Sequence, residues 1–260
     1  MTRGKHEIAE RDGYGMSIRE KYVRVVEDIA ERDGVLPLEM KKSYKIPAGA
    51  TRLECIEYTL GYVVGVAGDR EHYRYKKYYR ALNSALRMIA SRTEYRVPQL
   101  HIDVGCGPGL FTWVVRDKFR CEQLDVDLYG YDHAKEMVKL ATEIWTKLDE
   151  SVGYACYYNA LEMLSTVSAS DNSCDHALVT FGHVLVQTHD KKYVIRKFGR
   201  IISRSFAVNC LVVAVDAQKK PDKFRKGCDS LKHELLDQNL KVDVIHYEKD
   251  ESCYIANVTK

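Results

Sequence analysis

The run His101-Ile102-Asp103-Val104-Gly105-Cys106-Gly107-Pro108-Gly109-Leu110-Phe111-Thr112-Trp113 puts three glycines and an acid between an apolar, strand-like segment and the start of an amphipathic helix. Glycines let a backbone take positive φ and come close to a ligand, while the first turn of a helix offers unpaired N–H groups. Such a turn holds a ligand against main chain. A dinucleotide fingerprint would need a glycine at position 110, where this chain has Leu110. Asp103 would repel a pyrophosphate but suits a cationic amino group. The next strand-like segment, Leu128-Tyr129-Gly130-Tyr131, ends on Asp132, 27 residues beyond Gly105, where a carboxylate can accept bonds from both hydroxyls of a ribose. The expected ligand therefore carries both a ribose and a positive charge.

Asp-Val-Gly-Cys-Gly-Pro-Gly at 103–109, followed by Gly-Tyr-Asp-His-Ala-Lys-Glu-Met at 130–137, resembles the first two motifs of the class I S-adenosylmethionine-dependent methyltransferases. The similarity runs more weakly through Tyr158-Asn159-Ala160-Leu161-Glu162 and Cys174-Asp175-His176-Ala177-Leu178-Val179 to a terminal hairpin, covering about residues 97–260. The resemblance implies S-adenosylmethionine as cofactor. It lays the methionine part along Gly105, Cys106, Gly107 and Gly109 beside Asp103, and the ribose on Asp132. The adenine amino group falls to Asn159 or Ala160, although the family more often has Asp where this chain has Asn159. His133 and Met137 are expected to cover the adenine face, with Phe181 among the cofactor contacts.

Methyl transfer from a sulfonium needs alignment above all, so a catalytic side chain is not obligatory. If the acceptor is a hydroxyl a base is required, and His183 is the first imidazole past the fourth predicted strand, on the sheet edge where open α/β folds bind ligands. Neither an Asn/Asp-Pro-Pro-aromatic sequence nor a Pro-Cys pair is present in this stretch, which argues against the family's nucleobase-amine and cytosine-C5 chemistries. A small-molecule acceptor is the expectation. Two other readings stay open: a cofactor-binding scaffold without transfer activity, and an RNA methyltransferase.

The RNA reading draws on Arg70-Glu71-His72-Tyr73-Arg74-Tyr75-Lys76-Lys77-Tyr78-Tyr79-Arg80, where Arg74, Lys77 and Arg80 could meet nucleic acid. Against it, Tyr75, Tyr78, Tyr79, Leu82, Leu86 and Ile89 share one helical face, the pattern of a helix packed on a sheet with a solvated basic side. Residues 1–98 hold 19 Lys and Arg against 14 Asp and Glu, whereas 99–260 hold 21 against 23. The basic excess thus lies in the amino-terminal third.

These residues must be positioned by elements the periodicity predicts. Residues 1–16 look like a frayed terminus and 17–96 like a helical segment or lid, with capping boxes at Ser17/Glu20 and Thr51/Glu54 and a further helix from Asp69 to about Arg92. After Val97-Pro98 the pattern changes to strands near 100–104, 128–131, 153–158, 175–180, 208–215, 241–247 and 252–258. Helices are expected near 109–120, 134–148, 190–204 and 221–238, with 160–172 ambiguous. The fold class is α/β: a doubly wound, mainly parallel, seven-stranded Rossmann-like sheet with one antiparallel terminal strand and a helical extension.

Eight scattered cysteines with no Cys-x-x-Cys pair argue for free thiols and against a zinc site. The longest nearly apolar run, Phe206 to Val215, is about half of what a membrane span needs. With a charged amino terminus, the cytoplasm is the expected compartment.

Overall fold

The computed structural model describes residues 18–35, 46–61, 69–90, 96–121, 124–148, 154–169, 174–216, 221–248 and 253–260. The seven strands run β1 Leu100–Val104, β2 Asp127–Tyr131, β3 Tyr154–Tyr157, β4 His176–Gly182, β5 Asn209–Val215, β6 Lys241–Glu248 and β7 Cys253–Thr259. They form one sheet in the order β3-β2-β1-β4-β5-β7-β6. The first five are mutually parallel, and β7 runs antiparallel between β5 and β6. The reversed strand is last in sequence yet interior in space. The order reverses direction between β1 and β4, and at that point the carboxyl ends of the strands open a crevice.

Side chains alternate across the sheet, and the alternation decides what each strand residue can reach. Leu100, Ile102 and Val104 of β1 join Val179 and Phe181 of β4 and Val212 of β5 in one core, beneath α6 (Ala160–Ala169), α8 (Lys192–Arg204) and α9 (Pro221–Asp237). The opposite face, with Leu178, Leu211, Val213 and Ile255, is covered by α4 (Leu110–Cys121) and α5 (Lys135–Leu148).

The amino-terminal helices complete that second core. In α1 (Ile18–Arg32), Tyr22, Val26 and Ile29 are buried; α2 (Arg52–Thr59) contributes Cys55 and Ile56; α3 (Asp69–Ala90) contributes Tyr78, Leu82 and Leu86. Thr51 caps α2 as expected, accepting from the Glu54 N–H at 3.3 Å while the Glu54 carboxylate accepts the Thr51 N–H at 2.7 Å. The capping signature at Ser17, residues 62–68 and the side chains of Arg74 and Lys77 lie outside the described residues. Arg80 is exposed, on the solvated side of α3.

Two differences from the periodicity matter for the site. The ambiguous segment after β3 is the helix α6, and the expected helix 190–204 is α8, preceded by a single turn that was not expected, α7 (Leu185–Thr188). The break between them turns Lys191 and Tyr193 toward the crevice.

Candidate active site

The loop 105–109 is pinned from below. The N–H groups of Gly105 and Cys106 both donate to the Tyr131 carbonyl, at 2.7 and 3.0 Å, and that of Gly109 donates to the Cys106 carbonyl at 2.9 Å. Gly105 sits at φ 70°, and a Cβ there would lie 2.2 Å from Val184 Cγ2. Only glycine fits. Gly107, at φ 52°, has nothing within 4 Å of its Cβ position and lines an open cleft. The loop therefore presents bare backbone to a cavity of about 680 Å³, within the range of small-ligand sites.

Asp132 lies on the cleft wall one residue past β2. Its carboxylate accepts the Gly107 and Ala134 N–H groups, each at 3.0 Å, so it also holds the glycine loop in place. An ionised carboxylate has about four acceptor positions, so these two bonds together with the His133 Nδ1 contact leave capacity for a ribose hydroxyl. His133 reaches back to Asp132 through Nδ1 at 3.2 Å and meets the Ile46 carbonyl through Nε2 at 2.9 Å. The hydrogen bond to Asp132 raises its pKa above the usual imidazole value. Instead of lying flat over a base it bridges the sheet domain to the amino-terminal segment, although both it and Met137 line the cleft.

Asp103 is placed differently from Asp132. It is 1% exposed and accepts hydroxyl protons from Thr180 at 2.9 Å and Thr112 at 3.0 Å; burial pushes its pKa up to about 6 against those two bonds. His101 Nε2 lies 2.9 Å from the same Thr180 hydroxyl, and burial drives its pKa down to about 3. Asp103 borders a small recess behind the glycine loop, shared with Tyr78, Phe111 and Gly182, and is not on the main cleft wall. Cys106 borders the same recess, its Sγ 3.2 Å from that of Cys156, and burial pushes its thiol up.

Besides Asp103 and Cys106, the expected contacts Gly109, Asn159, Ala160 and Phe181 are not among the residues lining the cleft. Asn159 uses its amide oxygen to cap α6, accepting the Leu161 N–H at 3.0 Å, and Ala160 is buried as the first residue of that helix. Phe181 points into the core beneath α8, with its ring 5.4 Å from that of Phe198. Its neighbours Gly182 and His183 do reach the cleft. His183 adopts φ 60°, with its Nδ1 3.1 Å from an Asp216 carboxylate oxygen.

The opposite wall was not anticipated. Lys191, Tyr193 and Lys197 line it from the start of α8. The Lys197 ammonium hydrogen-bonds the Tyr131 hydroxyl and sits 4.5 Å from the centre of that ring, and burial lowers its pKa. The α7–α8 break that exposes this wall was the missing signal.

This arrangement, a glycine turn after β1, an acid after β2 and a reversed β7 beside β5, defines the fold of the class I S-adenosylmethionine-dependent methyltransferases. A Methanococcus maripaludis protein classed as an S-adenosyl-L-methionine-dependent methyltransferase shares the fold at a TM-score of 0.51 and 14% identity, over 85% of this chain and 97% of the other. An O-methyltransferase of Bacillus cereus, solved with S-adenosylhomocysteine, superposes at a TM-score of 0.47 with 9% identity, over 93% of this chain and all of the other. Within that fold, the family model described as mitochondrial small ribosomal subunit Rsm22 matches residues 70–215, more than half of the chain, and the protein belongs to that family. No curated protein sequence matches it significantly. None of the described helices is long and apolar enough to cross a membrane.

Proposed function

We propose that this protein is an S-adenosylmethionine-dependent methyltransferase. The observation that carries the reading is the left-handed glycine loop, tied by Gly107 to Asp132 at the point where the sheet order reverses and facing a cleft large enough for the donor. Gly105 and Gly107 would bring backbone against the methionine part, Asp132 would take the ribose, and Met137 would pack on the base. Asp103, behind the loop, adds negative potential toward a cationic ligand. When bound, the cofactor supplies a methyl group on a sulfonium, and the chain's task is to hold an acceptor in line with it. Where the acceptor is a hydroxyl, His183 takes its proton.

For the acceptor, the residues after β4 favour a small molecule. The family's description and the cleft wall of Lys191, Tyr193 and Lys197 favour RNA of the small ribosomal subunit instead, because cations beside an exposed aromatic suit a phosphate and a stacked base. We take the second reading. The compartment is then that of the ribosome it serves, the cytoplasm included. Isothermal titration with S-adenosylhomocysteine and with NAD tests the cofactor: binding of the first alone is expected, with Asp132→Ala weakening it about tenfold or more. Heat with NAD and none with S-adenosylhomocysteine would overturn the reading. Transfer of labelled methyl to isolated small-subunit RNA is expected; label appearing only in small molecules would return the acceptor to the first class.

A further inference from the structure

The helix α8 reads Lys-Tyr-Val-Ile-Arg-Lys-Phe-Gly-Arg-Ile-Ile-Ser-Arg, with five Lys and Arg and no Asp or Glu. Every other described helix that carries a cation carries an acid as well. Four of the five cations recur at every fourth residue, Lys192, Arg196, Arg200 and Arg204, and all four are exposed. Residues four apart are neighbours on a helix surface and rise about 6 Å along its axis, so the four make a gently winding row about 18 Å long. On the other side Ile195, Phe198, Ile201 and Ile202 are buried in the core with Phe181 and Val212. The Glu234 carboxylate stands 3.9 Å from Arg196 Nε, beyond hydrogen-bonding distance, and leaves that side chain 69% exposed. The row begins at the mouth of the cleft, where Tyr193 lines the wall with 74% of its surface exposed, while the fifth cation, Lys197, turns inward to Tyr131.

We infer that α8 is the track along which a single strand of RNA approaches the cleft: Lys192, Arg196, Arg200 and Arg204 hold backbone phosphates, and Tyr193 stacks a base at the mouth. The inference rests on the RNA reading above and adds to it the path of the strand outside the cleft. Cations in a row with no acid among them sum to a positive potential along the whole helix, which suits a chain of regularly spaced negative charges better than a single anion. Arginine supplies three of the four, and its planar fork meets phosphate oxygens two at a time. An exposed aromatic at the head of such a row takes the face of an unstacked base, which a single strand offers and a duplex does not. A bilayer surface would need the helix to insert an apolar side, and that of α8 is buried in the core. An acidic peptide would satisfy the cations but leave Tyr193 without a base to stack on.

Fluorescence anisotropy of a fluorescein-labelled oligouridylate tests this on the full chain without any methyl donor. The triple variant Arg196→Gln, Arg200→Gln, Arg204→Gln is expected to bind about tenfold or more weakly, and to flatten the slope of log affinity against log salt by about 2, since each phosphate contact to a single strand contributes about 0.7. A second triple variant, Lys223→Gln, Arg225→Gln, Lys226→Gln, removes the same charge from the exposed side of α9 and should change affinity by less than about threefold. Tyr193→Ala should weaken binding about fivefold or more with the salt slope unchanged, as loss of stacking does. Both triple variants should keep their affinity for S-adenosylhomocysteine within about twofold, because none of the six residues lines the cleft. Equal losses in the two triple variants would overturn the inference, since net charge and not the row would then set affinity, and so would an α8 variant that binds like the wild type. A wild type that binds no oligouridylate also overturns it; the RNA reading falls as well only if that protein fails to methylate small-subunit RNA.

Discussion

Replacing Gly105 by alanine separates two physical demands that meet at one atom. The residue sits at φ 70°, where an L side chain costs about 1–2 kcal/mol. The new Cβ would also lie 2.2 Å from Val184 Cγ2, 3.3 Å from its Cβ and 3.4 Å from its Cγ1. Val184 is stiff at χ1, so the overlap cannot be relieved by swinging a flexible tip. Overpacking of this kind costs about 1–3 kcal/mol. The sum, about 2–5 kcal/mol, is a large share of the roughly 5–15 kcal/mol that holds a domain folded. Val184→Ala removes the offending methyl and alone should cost about 1 kcal/mol, since the side chain is only half-buried. In the double variant the steric part should largely disappear while the backbone part stays, giving a favourable coupling of about 1–3 kcal/mol. Urea unfolding followed by the fluorescence of the buried Trp113 and Trp145 measures all four proteins. If the two substitutions add to within about 0.5 kcal/mol, Val184 does not press on the loop. If Gly105→Ala costs less than about 1 kcal/mol, the loop is not left-handed there.

The buried pair on β1 makes a prediction about acid. His101, with its pKa driven down to about 3, binds fewer protons folded than unfolded, so its contribution is present above about pH 6.5 and is lost as pH falls toward 3. Asp103, pushed up to about 6, has the opposite sign: its contribution is full below about pH 4 and is lost as pH rises through 6. Between pH 4 and 6 the two nearly cancel. Asp103→Asn should unmask the first, steepening the loss on acidification by up to about 1.4 kcal/mol per pH unit, and His101→Gln should unmask the second; urea midpoints from pH 4 to 7 check both, and parallel profiles for all three proteins would refute the pairing. Tyr22→Phe removes the hydroxyl that α1 donates to the Pro108 carbonyl at 2.6 Å. A loss of about 1–3 kcal/mol is expected, because that carbonyl is left unpaired, and an unchanged urea midpoint would show that α1 does not tie down the glycine loop.

The sheet was legible because buried parallel strands read as unbroken apolar runs, and Asp132 was legible because its spacing from the glycine turn follows from one β-α-β step. The amino-terminal helices were legible as helices, but nothing local says that Tyr22 reaches Pro108 or that Tyr78 stacks on Phe111. Such contacts are properties of packing. For Asn159 the structure adds a local demand that spacing does not reveal: its amide oxygen meets an unpaired N–H at the start of α6.

Parity along the strands accounts for the rest of the site. Successive strand residues face opposite sides, so Phe181 must enter the core that holds Val179, and the cleft falls to Gly182 and His183 where the strand ends. By the same rule Asp103, between Ile102 and Val104, is turned to the opposite face and meets Thr112 and Thr180, whereas Asp132 lies past the end of its strand and stays on the cleft wall. Two acids that look equivalent in the sequence are thus a framework carboxylate and a cleft-facing one. Asp216 has the position of Asp132, one residue beyond a strand, but no glycine motif precedes it. Its partner is set by the register of β4 on β5, and that register, more than any spacing along the chain, makes His183 and Asp216 a pair.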